Sequence, residues 1–167
     1  DTRKTIEMTK HAKEAGADLI LATDPDCDRM GVAAPVTTNP QGEWRTFTGN
    51  QLGALLIDYV LERRSRAGTL TPEHYVVKTL VTTELGRRIA DSYNVKTYGN
   101  LHVGFKWIAG LIDEVGPEKF VFGTEESHGY MAGTYVRDKD GGVACMLLAE
   151  LAACVKAEGK SLHEKLE

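Results

Sequence analysis

From residue 74 onward, short apolar runs alternate with amphipathic stretches, and this alternation limits the possible folds more than any single motif does. His74 to Leu80, Val95 to Tyr98 and Lys119 to Gly123 have the length and composition of strands. Thr83 to Tyr93, Gly104 to Val115 and Gly142 to Glu158 place apolar residues at helical spacing. Strands joined by helical crossovers run in one direction, so the pattern predicts an α/β chain with a largely parallel sheet. Ligands in such sheets sit beyond the carboxyl ends of the strands. Two polar loops fall at that position, one after Asp18 to Thr23 and one after Lys119 to Gly123.

Ahead of residue 74 the pattern is different. Residues 2 to 15 read as a helix closed by Gly16, and Asp18 to Thr23 reads as a buried strand. Gly31 to Val36 is a second strand. The turn-rich stretch Thr38 to Gly42 then leads to Trp44 to Phe47 as its hairpin partner. Thr48 and Gln51 form a capping box, and Leu52, Leu55, Leu56, Tyr59 and Val60 follow at helical spacing until Gly68. A domain boundary is therefore predicted between residues 47 and 48. The chain opens on Asp1 rather than Met, and a helix that starts at Ser161 and Glu164 stops after Glu167. Both ends read as cut, so a piece of a longer protein is expected.

Composition removes several function classes. The formal net charge is −4 with Lys and Arg dispersed, which leaves no basic footprint for nucleic acid. Val143 to Val155 is the longest apolar stretch, and it contains Glu150 and is too short to span a bilayer. Three cysteines, odd in number and in apolar contexts, suit a reducing cytoplasm better than a disulfide scaffold.

The first polar loop, Asp24-Pro25-Asp26-Cys27-Asp28-Arg29, has three carboxylates at i, i+2 and i+4. In an extended segment they share a side and repel unless a cation lies between them. Oxygen-only donors favour Mg²⁺, Mn²⁺ or Ca²⁺ over zinc. Cys27 alternates to the opposite side and reads as packing. The alternative is a solvated acidic turn. The second loop, Gly123 to Gly129, brackets Glu125, Glu126, Ser127 and His128 with glycines, and such donors and acceptors suit the vicinal hydroxyls of a polyol. Lys78 either faces the cleft or snorkels from the sheet, the second being preferred. Phe105 and Trp107 fit the buried face of a helix.

The acidic hexapeptide, Thr48-Gly49-Asn50-Gln51, Val77-Lys78-Thr79, Gly104-Phe105-Lys106-Trp107, the Glu-Glu-Ser-His-Gly loop and Arg137 to Gly141 occur in one order. That order resembles the α-D-phosphohexomutase superfamily, within it the phosphoglucomutase and phosphomannomutase group, over essentially the whole chain. The resemblance implies three-layer α/β/α domains with mixed, largely parallel sheets. It places residues 1–47 at the end of domain 2 with the metal loop, and 48–167 in domain 3 with the sugar loop. It further implies interconversion of hexose 1-phosphate and hexose 6-phosphate through a phosphoserine and a hexose 1,6-bisphosphate intermediate. Mg²⁺ would be held by Asp24, Asp26 and Asp28, with Arg29 beside the transferred phosphoryl group. Glu125 and Ser127 match sugar-hydroxyl ligands, Gly104 belongs to a substrate loop, and Lys139 matches a position that contacts substrate phosphate. The hexose phosphate and the missing domains 1 and 4 are the implied partners.

The chain departs from that pattern in places. Val103 stands where many members have Thr, and His128 follows the serine where relatives often have an aromatic residue, so His128 is not assigned as a base. Ser65, Ser92, Ser127 and Ser161 are the only serines, and none lies in a nucleophile context like the family's. The isolated chain is therefore expected to be inactive. A haloacid-dehalogenase-like sugar phosphatase would use Asp24 and Asp26, but Asp28 stands where that motif wants Thr or Val. An EF-hand fails because Arg29 replaces the glycine and Pro35 the bidentate glutamate. A non-catalytic metal- or sugar-binding module remains the other alternative.

Overall fold

The computed structural model describes residues 2–167. Helix α1 (Thr2–Ala15) ends at Gly16, whose φ of 65° is the left-handed conformation that closes helices. Strands β1 (Ile20–Thr23), β2 (Met30–Pro35) and β3 (Trp44–Thr46) form an antiparallel sheet in that order. Helix α2 (Gly49–Arg66) starts at the capping box formed by Thr48 and Gln51.

The second sheet contains β4 (Tyr75–Thr79), β5 (Lys96–Leu101), β6 (Phe120–Glu125) and β7 (Gly129–Ala132), in the order β5-β4-β6-β7. β4 runs parallel to both of its neighbours, and β7 returns antiparallel to β6. The connecting helices are α3 (Leu85–Ser92), α4 (Phe105–Val115) and α5 (Gly141–Ala157), followed by α6 (Leu162–Leu166) with its own capping box at Ser161. The chain is thus α/β with a mixed sheet.

Helices cover both faces of that sheet because its strands are apolar on both sides. On one face, Phe105, Ile108 and Ile112 of α4 pack against Tyr75, Val77, Phe120 and Met131. On the other, Leu52, Leu56, Ala90 and Leu148 from α2, α3 and α5 meet Val76, Val121 and Tyr130. Met30, Val32, Ala34 and Phe47 join this second cluster, so the antiparallel sheet and the mixed sheet share one core. Among the described residues no helix is long and apolar enough to cross a membrane.

Two elements differ from the sequence reading. β1 was expected to be buried, yet Ile20 and Leu21 are half-buried and Ala22 and Thr23 exposed, because β1 is an edge strand paired on one side only. The sequence reading ended the polar loop at Gly129 and assigned no element to the residues after it, and Gly129–Ala132 is a strand. Its four residues pair with Phe122 to Glu125, which makes the loop the tip of a hairpin.

Gly49, at the first turn of α2, lies directly beneath that tip. A Cβ there would collide with the carbonyl oxygen of Glu126 and stand 2.8 Å from the His128 nitrogen. Backbone cannot yield as a side-chain end can. Gly49→Ala is therefore expected to lower stability by about 1–3 kcal/mol in urea unfolding, and a change within error of zero would mean that the hairpin tip is not seated on α2.

Candidate functional site

Asp24 to Arg29 is a turn. The Cys27 N–H donates to the Asp24 carbonyl at 3.0 Å, and Cys27 has a φ of 59°. Asp24 Oδ1 accepts from the backbone N–H groups of Asp28 at 3.2 Å and Arg29 at 3.1 Å, while its Oδ2 accepts from Arg29 Nε at 2.6 Å. The three aspartates do converge, with one carboxylate oxygen from each lying within 4.8 Å of the others. They converge because the chain curls around Asp24, and not through the strand alternation expected. The curl also turns Cys27 outward, so it is exposed rather than packed.

The charges of this turn are unevenly matched. Burial alone would push the Asp24 carboxyl up, but the backbone N–H and guanidinium of Arg29, with the Asp28 N–H, outweigh it and hold the carboxyl down at about 2. Asp28 Oδ2 lies 2.9 Å from Lys139 Nζ. Asp28 Oδ1 is buried without a hydrogen-bond partner among the described residues, and Arg29 Nε is 3.6 Å from it. A clustered all-oxygen donor set with an unsatisfied buried oxygen suits a hard divalent cation.

The hairpin tip between β6 and β7 holds the second set. Glu125 is 4% exposed, and its Oε1 accepts from the Gly104 N–H at 2.6 Å, ahead of α4. The positive φ of Gly104, 120°, favours glycine at this point. Glu126 Oε2 accepts from the hydroxyls of Thr79 and Thr82, each at 3.2 Å. His128, with φ 69°, sets its Nδ1 3.1 Å from the Met30 carbonyl, a bond that fixes the tip.

The tip docks on the acidic turn. Met30 N–H donates to the His128 carbonyl at 3.2 Å, Arg29 and Gly129 form a β-bridge, and Gly141 N–H donates to the Cys27 carbonyl at 3.0 Å. An open groove of ≈ 320 Å³ results, lined by Asp24 and Arg29 on one side and Ser127 and His128 on the other. A larger cavity of ≈ 600 Å³, between Pro35, α5 and α6, contains none of the expected site residues.

Residues 48–167 match the model of the phosphoglucomutase/phosphomannomutase alpha/beta/alpha domain III. The chain belongs to the phosphoglucomutase/phosphomannomutase family. It is 42% identical over 170 residues to a phosphoglucomutase of Staphylococcus haemolyticus, a match that covers 100% of this chain and 29% of that relative. A phosphoglucomutase of Staphylococcus aureus strain N315 is 34% identical, again with 29% of its length covered. The chain thus spans under a third of the curated relatives it matches. In fold it resembles a phosphoglucomutase/phosphomannomutase family protein from Burkholderia thailandensis, with a TM-score of 0.72 at 18% identity, covering 99% of this chain and 32% of that one.

Several side chains lie where the sequence did not put them. Lys78 neither faces the groove nor snorkels. It is 1% exposed, and its Nζ meets Glu84 Oε1 at 2.7 Å and the Thr82 carbonyl at 2.8 Å. Trp107 is 44% exposed, against His102 and Lys106, rather than buried. Arg137 is tied to Asp113 of α4 at 2.9 Å, and Asp140 caps α5 through the Val143 N–H at 2.9 Å. Thr79 and Thr82, which hold Glu126, were missed, since only a fold that places β4 beside β6 brings them there.

The depressed Asp24 carboxyl has a direct test. Stabilisation by a carboxyl held below its unfolded value is present at higher pH and lost as pH falls through the folded value. The Asp24 carboxyl carbon, followed by NMR without divalent cations, should titrate near 2, and Arg29→Met should raise that midpoint. A midpoint at the usual carboxylate value in both would break the Asp24–Arg29 assignment.

Proposed function

We propose that this chain is the end of domain 2 and most of domain 3 of a mutase that interconverts hexose 1-phosphate and hexose 6-phosphate. The observation that carries the reading is the groove that sets Asp24 and Arg29 against Ser127 across two loops distant in sequence. One loop has the charges that a phosphoryl group requires, and the other has the acceptors and hydroxyl that a sugar requires.

Asp24, Asp26 and Asp28 would hold Mg²⁺, which when bound supplies charge neutralisation for the transferred phosphoryl group. The chain's own residues do the remaining work assigned here. Arg29 orders the turn through Asp24 and presents its remaining guanidinium N–H groups to phosphoryl oxygens. Glu125 and Ser127 accept and donate to sugar hydroxyls, with Gly104 beside them. Glu125 is preorganised by its bond to the Gly104 N–H, so little ordering is left to binding. Lys139 neutralises phosphate at the seam between the loops. A hexose 1,6-bisphosphate is the intermediate, and the phosphoserine and the loop for the distal phosphate belong to domains 1 and 4. Three free cysteines are consistent with a reducing cytoplasm.

In the full-length enzyme, Asp26→Asn should cut Mg²⁺-dependent mutase activity on the order of 100-fold or more, and Glu125→Gln should lower kcat/KM about tenfold or more. The 167-residue chain alone should show no turnover in a coupled assay. Full activity in the Asp26→Asn enzyme would remove the metal assignment, and turnover by the chain alone would remove the fragment assignment.

A further inference from the structure

Lys139 reaches the acidic turn by a route that the fold keeps open for it. Its Nζ lies 2.9 Å from Asp28 Oδ2 and 3.1 Å from Asp138 Oδ1, with the side chain only 17% exposed. The ammonium also stands 5.3 Å from the centroid of the Phe105 ring. The aliphatic stem passes over Gly129, where a Cβ would collide with Lys139 Cδ and stand 3.0 Å from Cγ. Gly129 does not have a positive φ, so backbone conformation is no reason for glycine there. The space it leaves is filled by the lysine.

The charge count at the turn gives that route a consequence. Three carboxylates are met by two cations, with Arg29 on Asp24 and Lys139 on Asp28. Asp28 is half engaged, one oxygen on Lys139 and the other buried and unbonded among the described residues. A dication held by all three aspartates would share Asp28 with the Lys139 ammonium, which lies 2.9 Å from its Oδ2. Like charges that close repel strongly in partly buried surroundings, and the affinity of carboxylate sites for hard cations follows the net charge of the ligand set.

We propose that Lys139 is the internal counter-cation of the acidic turn, holding the three aspartates together without metal and holding divalent-cation affinity down when metal binds. The inference rests on the metal reading above and adds that the affinity is set from the hairpin side of the groove. It makes Lys139 a positioning residue for the metal loop in addition to any contact with phosphate.

Mn²⁺ binding to the 167-residue chain, read by the electron paramagnetic resonance of free Mn²⁺ at fixed pH and salt, tests this. Lys139→Met should bind Mn²⁺ on the order of tenfold tighter than the parent chain. Gly129→Ala, whose methyl would press on the Lys139 stem at Cδ and Cγ, should shift affinity the same way by a smaller factor and keeps the test available if Lys139→Met does not fold. Tight binding by Lys139→Met with none measurable in the parent would also support the proposal. Unchanged or weaker binding in both variants, with the parent binding normally, would overturn the counter-cation role alone and make Lys139 an orienter of Asp28. No binding by any of the three would overturn the metal reading and this inference with it.

Discussion

Most of the site depends on a backbone seam between two loops almost a hundred residues apart in sequence. Met30 and His128 exchange a main-chain bond and a side-chain bond, Arg29 bridges to Gly129, and Gly141 bonds the Cys27 carbonyl. A turn with three carboxylates would spread if its geometry relied on side chains alone, because each charge pushes the others apart. Fixed main-chain contacts remove that freedom. The seam in turn depends on close approach, and glycines stand where it is closest. A Cβ on Gly141 would stand 2.8 Å from the Cys27 carbonyl oxygen, and one on Gly49 would strike the hairpin tip from below. The groove is therefore a product of backbone packing, and the charged side chains are arranged on a surface that packing has already set.

The two loops are held by different chemistry, in keeping with the ligands proposed for each. The acidic turn is stabilised by cations, Arg29 and Lys139, which can be partly displaced or shared when another charge arrives. The hairpin tip is held by neutral donors, the Gly104 N–H on Glu125 and two threonine hydroxyls on Glu126. Neutral donors fix a carboxylate without cancelling its charge, so each glutamate keeps an acceptor oxygen for a hydroxyl. Lys78 secures this arrangement from beneath. Its buried ammonium pulls the Thr79 and Thr82 carbonyls together, and with them the hydroxyls on Glu126.

Local signals were legible in the sequence and pairing signals were not. The capping boxes at Thr48 and Ser161 were readable because each involves residues three apart, and both appear as read. The parallel strands and their crossover helices followed from periodicity. β7 was missed because Gly129 to Ala132 is too short to show alternation and becomes a strand only through β6. The aspartates were expected to converge through a strand's two-residue repeat, and they converge through a turn centred on Asp24. The three carboxylates still cluster, because close spacing in sequence keeps them within reach of one another, whereas the outward Cys27 depends on φ, which the sequence does not display.

Lys78 and Lys139 make the same point about charge. By sequence each is a lysine near the end of an apolar or polar run, and in neither case does the run decide where the ammonium goes. Lys78 turns inward because Thr82 and Glu84 lie within reach of its strand end, which satisfies a cation that burial would otherwise expel. Lys139 turns toward Asp28 because Gly129 leaves its stem a path and Asp28 has an oxygen to spare. Glu84 lies at the start of α3, beyond the end of the strand that carries Lys78, and Asp28 lies in the loop between β1 and β2, far in sequence from Lys139. A long flexible side chain samples many positions at similar cost, so the nearest fixed acceptor selects one. The acceptors are fixed by the backbone seam, which therefore governs the site's electrostatics as well as its shape.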